Sequence, residues 1–313
     1  MRSLKKILLA TAMAAAASPC FGGSTPTVYL MKIADHRALD ETVRGVRDAL
    51  AGRDIKIRVE SAQGNPSTAL QIAQKIAAKK PAVAVAVGTV AAQSLANYAN
   101  RIEDPVPIVY SSVTDPKSAG LIPAANVTGV SNFVPLRPQL ELFRKLQPNL
   151  ETIGIAYNPG EANSVAIVNA LKPICEEMGI GLVLRAATRT AEMPQAAAEL
   201  ARRVDAIFVS NDNTALAALA AIVGVADSQG IPVYVSDRDA VALGALAALG
   251  PNQREVGRQT GRMVAKILDG ETADSIAPEW VTSMTLSINL PVAERLSIAV
   301  SEELLSEAEE LIQ

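Results

Sequence analysis

The stretch VAVAVGTVAAQSLANYA, residues 83–99, joins a short β-branched run to an alanine-rich segment that opens at Thr89. The stretch AIFVSNDNTALAALAAI, residues 206–222, repeats this order, and Thr214 opens its alanine-rich segment. A short β-branched run predicts a buried strand, whereas apolar residues spaced three and four apart predict a helix. Each stretch therefore predicts a strand that is followed by a helix.

The rest of the chain places these two units in a larger duplication. Three strand-like runs recur about 125 residues later in the chain. They are residues 28–33, 55–59 and 107–111, which match residues 153–157, 180–184 and 232–236. Segments with helical periodicity separate the runs, as parallel strands with crossover helices require. The sequence thus predicts an α/β protein with two Rossmann-like lobes, each built on a parallel sheet.

Extended segments after each copy predict three connections between the lobes. They lie at residues 126–132, 245–250 and 285–290, with helices predicted at 138–146 and 255–268 after the first two. Each lobe then receives a segment from the other half of the chain, and the lobes can hinge about the connections. We predict lobe 1 at residues 24–128 plus 251–285 and lobe 2 at residues 129–250 plus 286–313.

Residues 1–23 have the pattern of a secretory signal peptide. Basic side chains within residues 1–6 precede an apolar run at residues 7–17, which is too short to span a bilayer. Cys20 could carry a lipid after processing, although Pro19 directly before it argues against lipidation. We therefore expect export to the periplasm or another extracytoplasmic location.

Length and charge restrict the class of function. The 313 residues carry a formal net charge of −3, which becomes −6 once the basic start of the signal is removed. Nucleic-acid binding normally needs a concentrated basic face, and the Lys and Arg residues are scattered here. The composition therefore predicts a soluble, mildly acidic protein of two domains that does not bind nucleic acid.

Polar loops follow the predicted strands in both copies. In open parallel sheets, ligands bind beyond the carboxyl ends of the strands. Thr89, Ser111 and Ser112 in lobe 1 offer hydroxyls and helix-start amides that suit a carboxylate. Loops of lobe 2 supply carboxylates that could pair with an ammonium group, namely Glu161, Asp212 and Asp237. Together the two sets predict a zwitterionic ligand, an amino acid.

The same residues also have purely structural interpretations. Thr89 and Thr214 suit a helix N-cap, and Asp115, which precedes a proline, suits a turn. Asp212 could equally stabilise a helix N-terminus through its charge, and Asp237 is also open to a structural role. Only the convergence of these side chains on one cleft favours binding.

Enzymatic and cofactor chemistry have little support in the sequence. His36 is the only histidine, so neither a zinc site nor a Ser-His-Asp triad is indicated, and we expect it to form a hydrogen bond within its loop. Asp115 or Asp237 could serve an exported enzyme as a general base, but the sequence shows no nucleophile–base pair beside them. Motifs for nucleotide and redox cofactors do not occur. We predict a binding protein without a cofactor or a metal.

Eight runs between residues 34 and 268 form a recognisable set. They are ADHRALD (34–40), AQGNPSTALQIAQK (62–75), SSVTDPKSAGL (111–121), NVTGVS (126–131), YNPGEANS (157–164), SNDNTALAAL (210–219), SDRDAVALGALAALG (236–250) and GRQTGRMVAKIL (257–268). The set closely resembles the TrpX-type ABC transporter substrate-binding proteins. That resemblance implies the type I periplasmic binding protein fold and an ABC importer with a separate permease and ATPase. Aromatic amino acids are the ligands usually assigned to this family.

The resemblance also implies which residues contact the ligand. Matched position by position, they are Gln63, Thr89, Ser111, Ser112, Asp115, Asn158, Glu161, Asn163, Asp212, Asn213 and Asp237. The family commonly has proline after the histidine of the first loop, where this chain has Arg37, and this difference leaves the identity of the ligand open.

The aromatic content bears on the ligand as well. Aromatic residues make up only 3% of the chain, which argues modestly against a sugar ligand. Tyr110, Tyr157 and Tyr234 lie near predicted strand ends and could form part of an aromatic pocket or belong to the cores.

We expect a monomer. The alternative to import is a sensor that presents its closed form to a membrane receptor kinase.

Overall fold

The computed structural model describes residues 25–99, 101–281 and 283–313. The predicted signal peptide at residues 1–23 lies outside these ranges. Among the helices in the described ranges, none combines the length and the apolar character that crossing a membrane requires.

Strands and helices alternate along most of the described chain. Residues 27–131 form β1 (Thr27–Lys32), α1 (Arg37–Ala49), β2 (Lys56–Ser61), α2 (Pro66–Lys79), β3 (Val83–Val87), α3 (Thr89–Ala99), β4 (Ile108–Val113) and β5 (Val127–Ser131). Residues 136–250 form α4 (Leu136–Leu146), β6 (Thr152–Tyr157), α5 (Ala162–Met178), β7 (Gly181–Ala186), α6 (Met193–Ala201), β8 (Ala206–Val209), α7 (Asn213–Ala217), α8 (Leu219–Ser228), β9 (Val233–Val235) and β10 (Ala247–Gly250). The remainder forms α9 (Gln253–Leu268), β11 (Glu279–Trp280), β12 (Thr285–Asn289), α10 (Leu290–Arg295), α11 (Glu302–Glu307) and β13 (Glu310–Ile312). Short 3-10 helices lie at Thr190–Glu192, Arg238–Leu243 and Ala273–Ser275.

The two halves of the chain build sheets with the same strand order. The sheet of lobe 1 runs β11-β5-β4-β3-β1-β2, and that of lobe 2 runs β13-β12-β10-β9-β8-β6-β7. The first five strands of each half therefore take equivalent places, and β6 begins 125 residues after β1. The predicted α/β duplication is confirmed.

Two strands, β12 and the β13 that pairs parallel to it, depart from the predicted parallel arrangement. β12 pairs with β10 in the antiparallel direction, whereas β11 is parallel to β5. Because β11 is parallel to β5, it ends on the side of lobe 1 that faces lobe 2, and the chain enters lobe 2 from the cleft. β12 must then run away from the cleft, opposite to β10.

The connections between the lobes lie a few residues from their predicted positions. The predicted boundaries after residues 128 and 285 fall inside β5 and β12. The whole of β5 belongs to the sheet of lobe 1, and the whole of β12 belongs to that of lobe 2. A strand stays in one sheet because its backbone hydrogen bonds hold it there. The chain therefore crosses after Ser131, after Gly250 and between β11 and β12.

Helix α9 joins lobe 1 from the second half of the chain and packs very closely on α1. A Cβ atom added to Gly257 would lie 2.0 Å from the backbone oxygen of Thr42. A Cβ atom added to Gly45 would lie 1.9 Å from the backbone oxygen of Arg254. Glycine at both positions lets the two backbones touch, and neither backbone can move aside as a flexible side chain could.

We expect Gly257→Ala to lower the free energy of unfolding by about 2 kcal/mol, because overpacking a close helix contact forces the backbones apart. Urea unfolding followed by circular dichroism measures this change. Gly224→Ala in α8 is the matched control, since an added Cβ there meets nothing within 4 Å. The control should be neutral or stabilising by up to about 1 kcal/mol. Equal stability of the two variants would contradict the close packing of α1 and α9.

Candidate ligand-binding site

The carboxyl ends of the strands in both lobes face a small cavity between the lobes. Lobe 1 and the connections supply His36, Ala38, Leu39, Thr89, Ser112, Thr114, Asn132 and Gln253. Lobe 2 supplies Asn163, Asn211, Asn213, Leu216 and Asp237. Hydroxyl and amide groups dominate this lining, and we call this space the cavity below.

A change of strand register decides which serine of lobe 1 faces the cavity. The pairing of β4 with β5 shifts between Ser111 and Val113, and Ser112 adopts a positive φ of 53°. Ser112 consequently lines the cavity, where its hydroxyl donates to Oε1 of Gln253 at 3.1 Å. The hydroxyl of Ser111 instead contacts that of Thr260 in α9 at 2.6 Å. Of the two predicted serines, only Ser112 reaches the cavity.

The hydroxyl of Thr89 lies at the first turn of α3. Gly88 before it has a φ of 94°, a conformation that favours glycine. The first amides of a helix have no partner within the helix and carry its positive dipole end. Thr89 and the start of α3 therefore form a site that suits an anionic group.

On the side of lobe 2, the carboxylate of Glu161 is enclosed by donors from neighbouring loops. Oε1 accepts from the amide and the hydroxyl of Thr214, at 3.0 and 2.6 Å. Oε2 accepts from the amide and Nδ2 of Asn213, at 3.1 and 2.5 Å, and from Nδ2 of Asn163 at 3.0 Å. Glu161 thus orients two asparagines of the cavity and does not line it.

Asp212 has a similar supporting role. Its carboxylate caps α7 by accepting from the amide of Ala215 at 2.7 Å, and it accepts from the amide of Asn158 at 2.7 Å. Burial, and then the negative charge of Glu161, raise the pKa of Asp212 to about 6. The expected pairing of Asp212 with a ligand ammonium is not supported by this placement.

Asp237 is the carboxylate that reaches the cavity. Its side chain is 1% exposed, and Oδ1 accepts from the amide of Asp239 at 2.9 Å. Burial, and then the negative charge of Asp239, raise its pKa to about 7. The exposed side chain of Arg37 in lobe 1 and that of Arg238 oppose this rise through their positive charges.

Five buried side-chain atoms of residues that line the cavity find no hydrogen-bond partner within the described parts of the chain. They are His36 Nδ1, Thr89 Oγ1, Asn132 Oδ1, Asn163 Oδ1 and Asp237 Oδ2. We call them the open polar atoms. Buried polar atoms are normally hydrogen-bonded, so a group of them around one cavity is typical of a ligand site.

The structure brings together some of the predicted contact residues and not others. Thr89, Ser112, Asn163, Asn213 and Asp237 line the cavity. The other predicted contacts lie elsewhere, at Gln63, Ser111, Asp115, Asn158, Glu161 and Asp212.

Each residue outside the cavity has a visible role or position. Gln63 lies in a second pocket, which is lined by residues of both lobes. Asp115 makes a turn by accepting from the amides of Lys117 and Ser118, which is its structural interpretation. Nδ2 of Asn158 donates to the hydroxyl of Thr214 at 2.9 Å.

The sequence interpretation also missed residues of the cavity. Asn132 and Gln253 follow β5 and β10, where the chain crosses between the lobes. The sequence could have indicated both residues, because a segment that connects two lobes must pass the cleft between them. Tyr110 and Tyr234 are fully buried in the cores, and Tyr234 stacks on Phe143. They do not form an aromatic pocket.

Two lobes of equal strand order, three connections and a polar cavity between the lobes define the type I periplasmic binding protein fold. A family model described as ABC transporter substrate binding protein matches residues 27–312, and the chain belongs to this family. Proteins of this family bind solutes outside the cytoplasm and are not enzymes.

Individual relatives span most of the chain. It is 29% identical over 273 residues to the tyrosine-binding protein of Clostridioides difficile (strain R20291), covering 84% of this chain and 78% of that protein. An ABC domain from Streptococcus pneumonia in complex with L-Trp has a TM-score of 0.87 and 30% identity, covering 92% of this chain and 100% of that chain. A ligand-free, open substrate-binding protein from Clostridium difficile has a TM-score of 0.66 and 29% identity, with the same coverage.

Proposed function

We propose that the protein captures an aromatic amino acid between its lobes and delivers it to the permease of an ABC importer. The observation that carries the proposal is the carboxylate of Asp237, which lines the cavity with Oδ2 as an open polar atom. A buried carboxylate is strongly destabilising unless it is paired, and a ligand ammonium supplies a charged donor. Asp237 therefore matches the amino group of an amino acid.

The remainder of the cavity matches the other parts of such a ligand. The hydroxyl of Thr89 and the first amides of α3 suit the ligand carboxylate. Ala38, Leu39 and Leu216 supply the apolar lining and suit a ligand side chain. The names of the relatives support the aromatic class, since one is a tyrosine-binding protein and another was solved with L-Trp.

The arrangement of the lobes supports capture by closure. The L-Trp complex and the open, ligand-free protein have nearly the same sequence identity to this chain, 30% and 29%. Their structures differ in similarity to it, with TM-scores of 0.87 for the L-Trp complex and 0.66 for the open protein. Polar contacts also join the lobes here: Nε2 of His36 lies 3.2 Å from Oδ1 of Asn213. Nδ2 of Asn211 donates to the backbone oxygen of Asn132 at 3.3 Å. These contacts are consistent with a closed arrangement.

A thermal-shift screen of the mature protein against the twenty amino acids and a set of sugars tests the proposal. An aromatic amino acid at about 100 times its Kd should stabilise the protein by about 2.7 kcal/mol and raise its Tm. A rise with a sugar and with no amino acid would contradict the amino-acid site, and a rise with aliphatic amino acids alone would contradict the aromatic class. Deletion of the gene should abolish uptake of the amino acid identified, and unchanged uptake would contradict import.

A further inference from the structure

The orientation of one asparagine amide fixes the position of the proton on His36. Nδ2 of Asn213 donates to Oε2 of Glu161 at 2.5 Å, so this amide group must point its nitrogen toward the carboxylate. The reverse orientation would place the amide oxygen against a carboxylate oxygen, and both are acceptors. Oδ1 of Asn213 therefore faces Nε2 of His36, 3.2 Å away.

This geometry makes Nδ1 of His36 an acceptor. Because Oδ1 of Asn213 can only accept, Nε2 of His36 must carry a hydrogen and donate it. In a neutral imidazole the other ring nitrogen then has a free lone pair. Burial lowers the pKa of His36, which keeps the ring neutral near pH 7. Nδ1 is one of the open polar atoms, so the cavity contains a buried acceptor that is oriented from Glu161 through Asn213.

His36 directly precedes one of the helices that supply the apolar lining and is hydrogen-bonded to the other. Ala38 and Leu39 follow His36 at the start of α1, and Leu216 lies in α7 with Asn213. Asp237 comes from a different part of the chain, directly before the 3-10 helix that follows β9. His36 lines the same cavity as these apolar side chains, which would hold the ligand side chain, and Asp237 is left for the amino group.

We propose that Nδ1 of His36 accepts a hydrogen bond from an N–H or O–H on the aromatic ring of the ligand, so that the site selects tryptophan or tyrosine over phenylalanine. This inference rests on the proposed function. A site that hydrogen-bonds a ligand group discriminates strongly against an analogue without it, because its own buried polar atom is then left unpaired. We expect phenylalanine to bind at least about tenfold more weakly than the better of tyrosine and tryptophan, which corresponds to about 1.4 kcal/mol.

Isothermal titration calorimetry with tyrosine, phenylalanine, tryptophan and benzothienylalanine tests the inference. Benzothienylalanine replaces the indole N–H by sulfur at nearly equal size, so it separates the hydrogen bond from the shape of the ring. For the ligand that binds best, the analogue that lacks the donor should bind at least about tenfold more weakly.

Two variants separate the acceptor at Nδ1 from the hydrogen bond at Nε2. His36→Gln places an amide at the position of Nε2 and can still donate to Asn213, but it removes the acceptor at Nδ1. We expect this variant to bind phenylalanine within about threefold as tightly as the better of tyrosine and tryptophan. His36→Asn places an oxygen near the position of Nδ1 and loses the bond to Asn213, so it should retain the selectivity at a lower absolute affinity. The Tm of each variant shows whether it is folded.

The outcomes distinguish this inference from the proposed function. Equal binding of phenylalanine, tyrosine and tryptophan by the unmodified protein would overturn the role of His36 and leave the amino-acid site in place. Undiminished selectivity in His36→Gln would also overturn it. Failure to bind any aromatic amino acid would remove the proposed function and this inference together.

Discussion

Asp237→Asn is expected to weaken amino-acid binding at pH 8 by at least about 100-fold. Removing one partner of a buried, hydrogen-bonded charge pair typically costs 2–5 kcal/mol or more, because the ligand ammonium is left without its counter-charge. Asparagine keeps the shape of the side chain and can still accept from the amide of Asp239. Isothermal titration calorimetry with the ligand identified in the screen measures the loss.

Asp239→Asn is the matched control for this variant. Asp239 lies on the 3-10 helix that Asp237 caps, but it does not line the cavity. Its replacement removes an equal charge nearby, so we expect the affinity at pH 8 to change by less than about threefold. Similar losses in both variants would show that general electrostatics, rather than contact with Asp237, determines the affinity.

Titration of Asp237 should make ligand binding depend on pH. Burial, and then the negative charge of Asp239, raise its pKa to about 7, whereas the positive charges of Arg37 and Arg238 lower it. Binding an ammonium requires the ionised form, so the affinity should rise about tenfold per pH unit between pH 5 and 7 and level off above that. Binding below pH 7 should release a proton, which calorimetry in buffers of different ionisation enthalpy detects. An affinity that is flat from pH 5 to 8 would contradict this assignment.

The same shift has the opposite effect on the ligand-free protein. An acid whose pKa is higher in the folded state binds more protons there, so its contribution to stability falls as the pH rises from about 4 to 7. Asparagine does not titrate. The stability of Asp237→Asn relative to the unmodified protein should therefore increase over this interval, on the order of 1 kcal/mol per pH unit. The ionised carboxylate of Asp237, which would bind the ligand ammonium, thus lowers the stability of the ligand-free protein.

The sequence predicted the fold well because its strand-like runs and its helical periodicity both occur twice in the chain. The strand runs and alanine-rich helices of one half reappear in the other, so each half supports the interpretation of its counterpart. The direction of β12 could not be predicted in this way, because it depends on the edge from which the chain re-enters lobe 2. The boundaries inside β5 and β12 were missed for a related reason, since extended connections and edge strands look alike in sequence.

The candidate site was harder to predict because position in a loop does not determine where a side chain points. Ser111 and Ser112 are adjacent, and only the register shift after Ser111 turns Ser112 toward the cavity. Glu161 and Asp237 are both buried carboxylates after strands of lobe 2. The first is surrounded by donors of its own lobe and the second is not, which is a property of tertiary packing. Composition alone cannot separate a carboxylate that supports a site from one that binds the ligand.

That distinction predicts a different result for Glu161→Gln than for Asp237→Asn. A glutamine keeps one acceptor oxygen and replaces the other by an amide nitrogen, which repels between one and three of the four N–H donors around the carboxylate. Breaking a buried polar network of this kind is strongly destabilising. We expect the free energy of unfolding to fall by about 3 kcal/mol, as measured by urea unfolding at pH 8 without ligand.

The affinity of the folded Glu161→Gln protein should fall as well, by at least about tenfold, because Asn163 and Asn213 lose the carboxylate that orients them. Glu176→Gln, at an exposed position on helix α5, which Glu161 directly precedes, makes the same chemical change and should leave both quantities unaltered. Asp237→Asn lowers affinity and does not reduce stability at pH 8, whereas Glu161→Gln lowers both. If Glu161→Gln lost affinity while remaining as stable as the Glu176→Gln control, Glu161 would contact the ligand directly, as the sequence resemblance first implied.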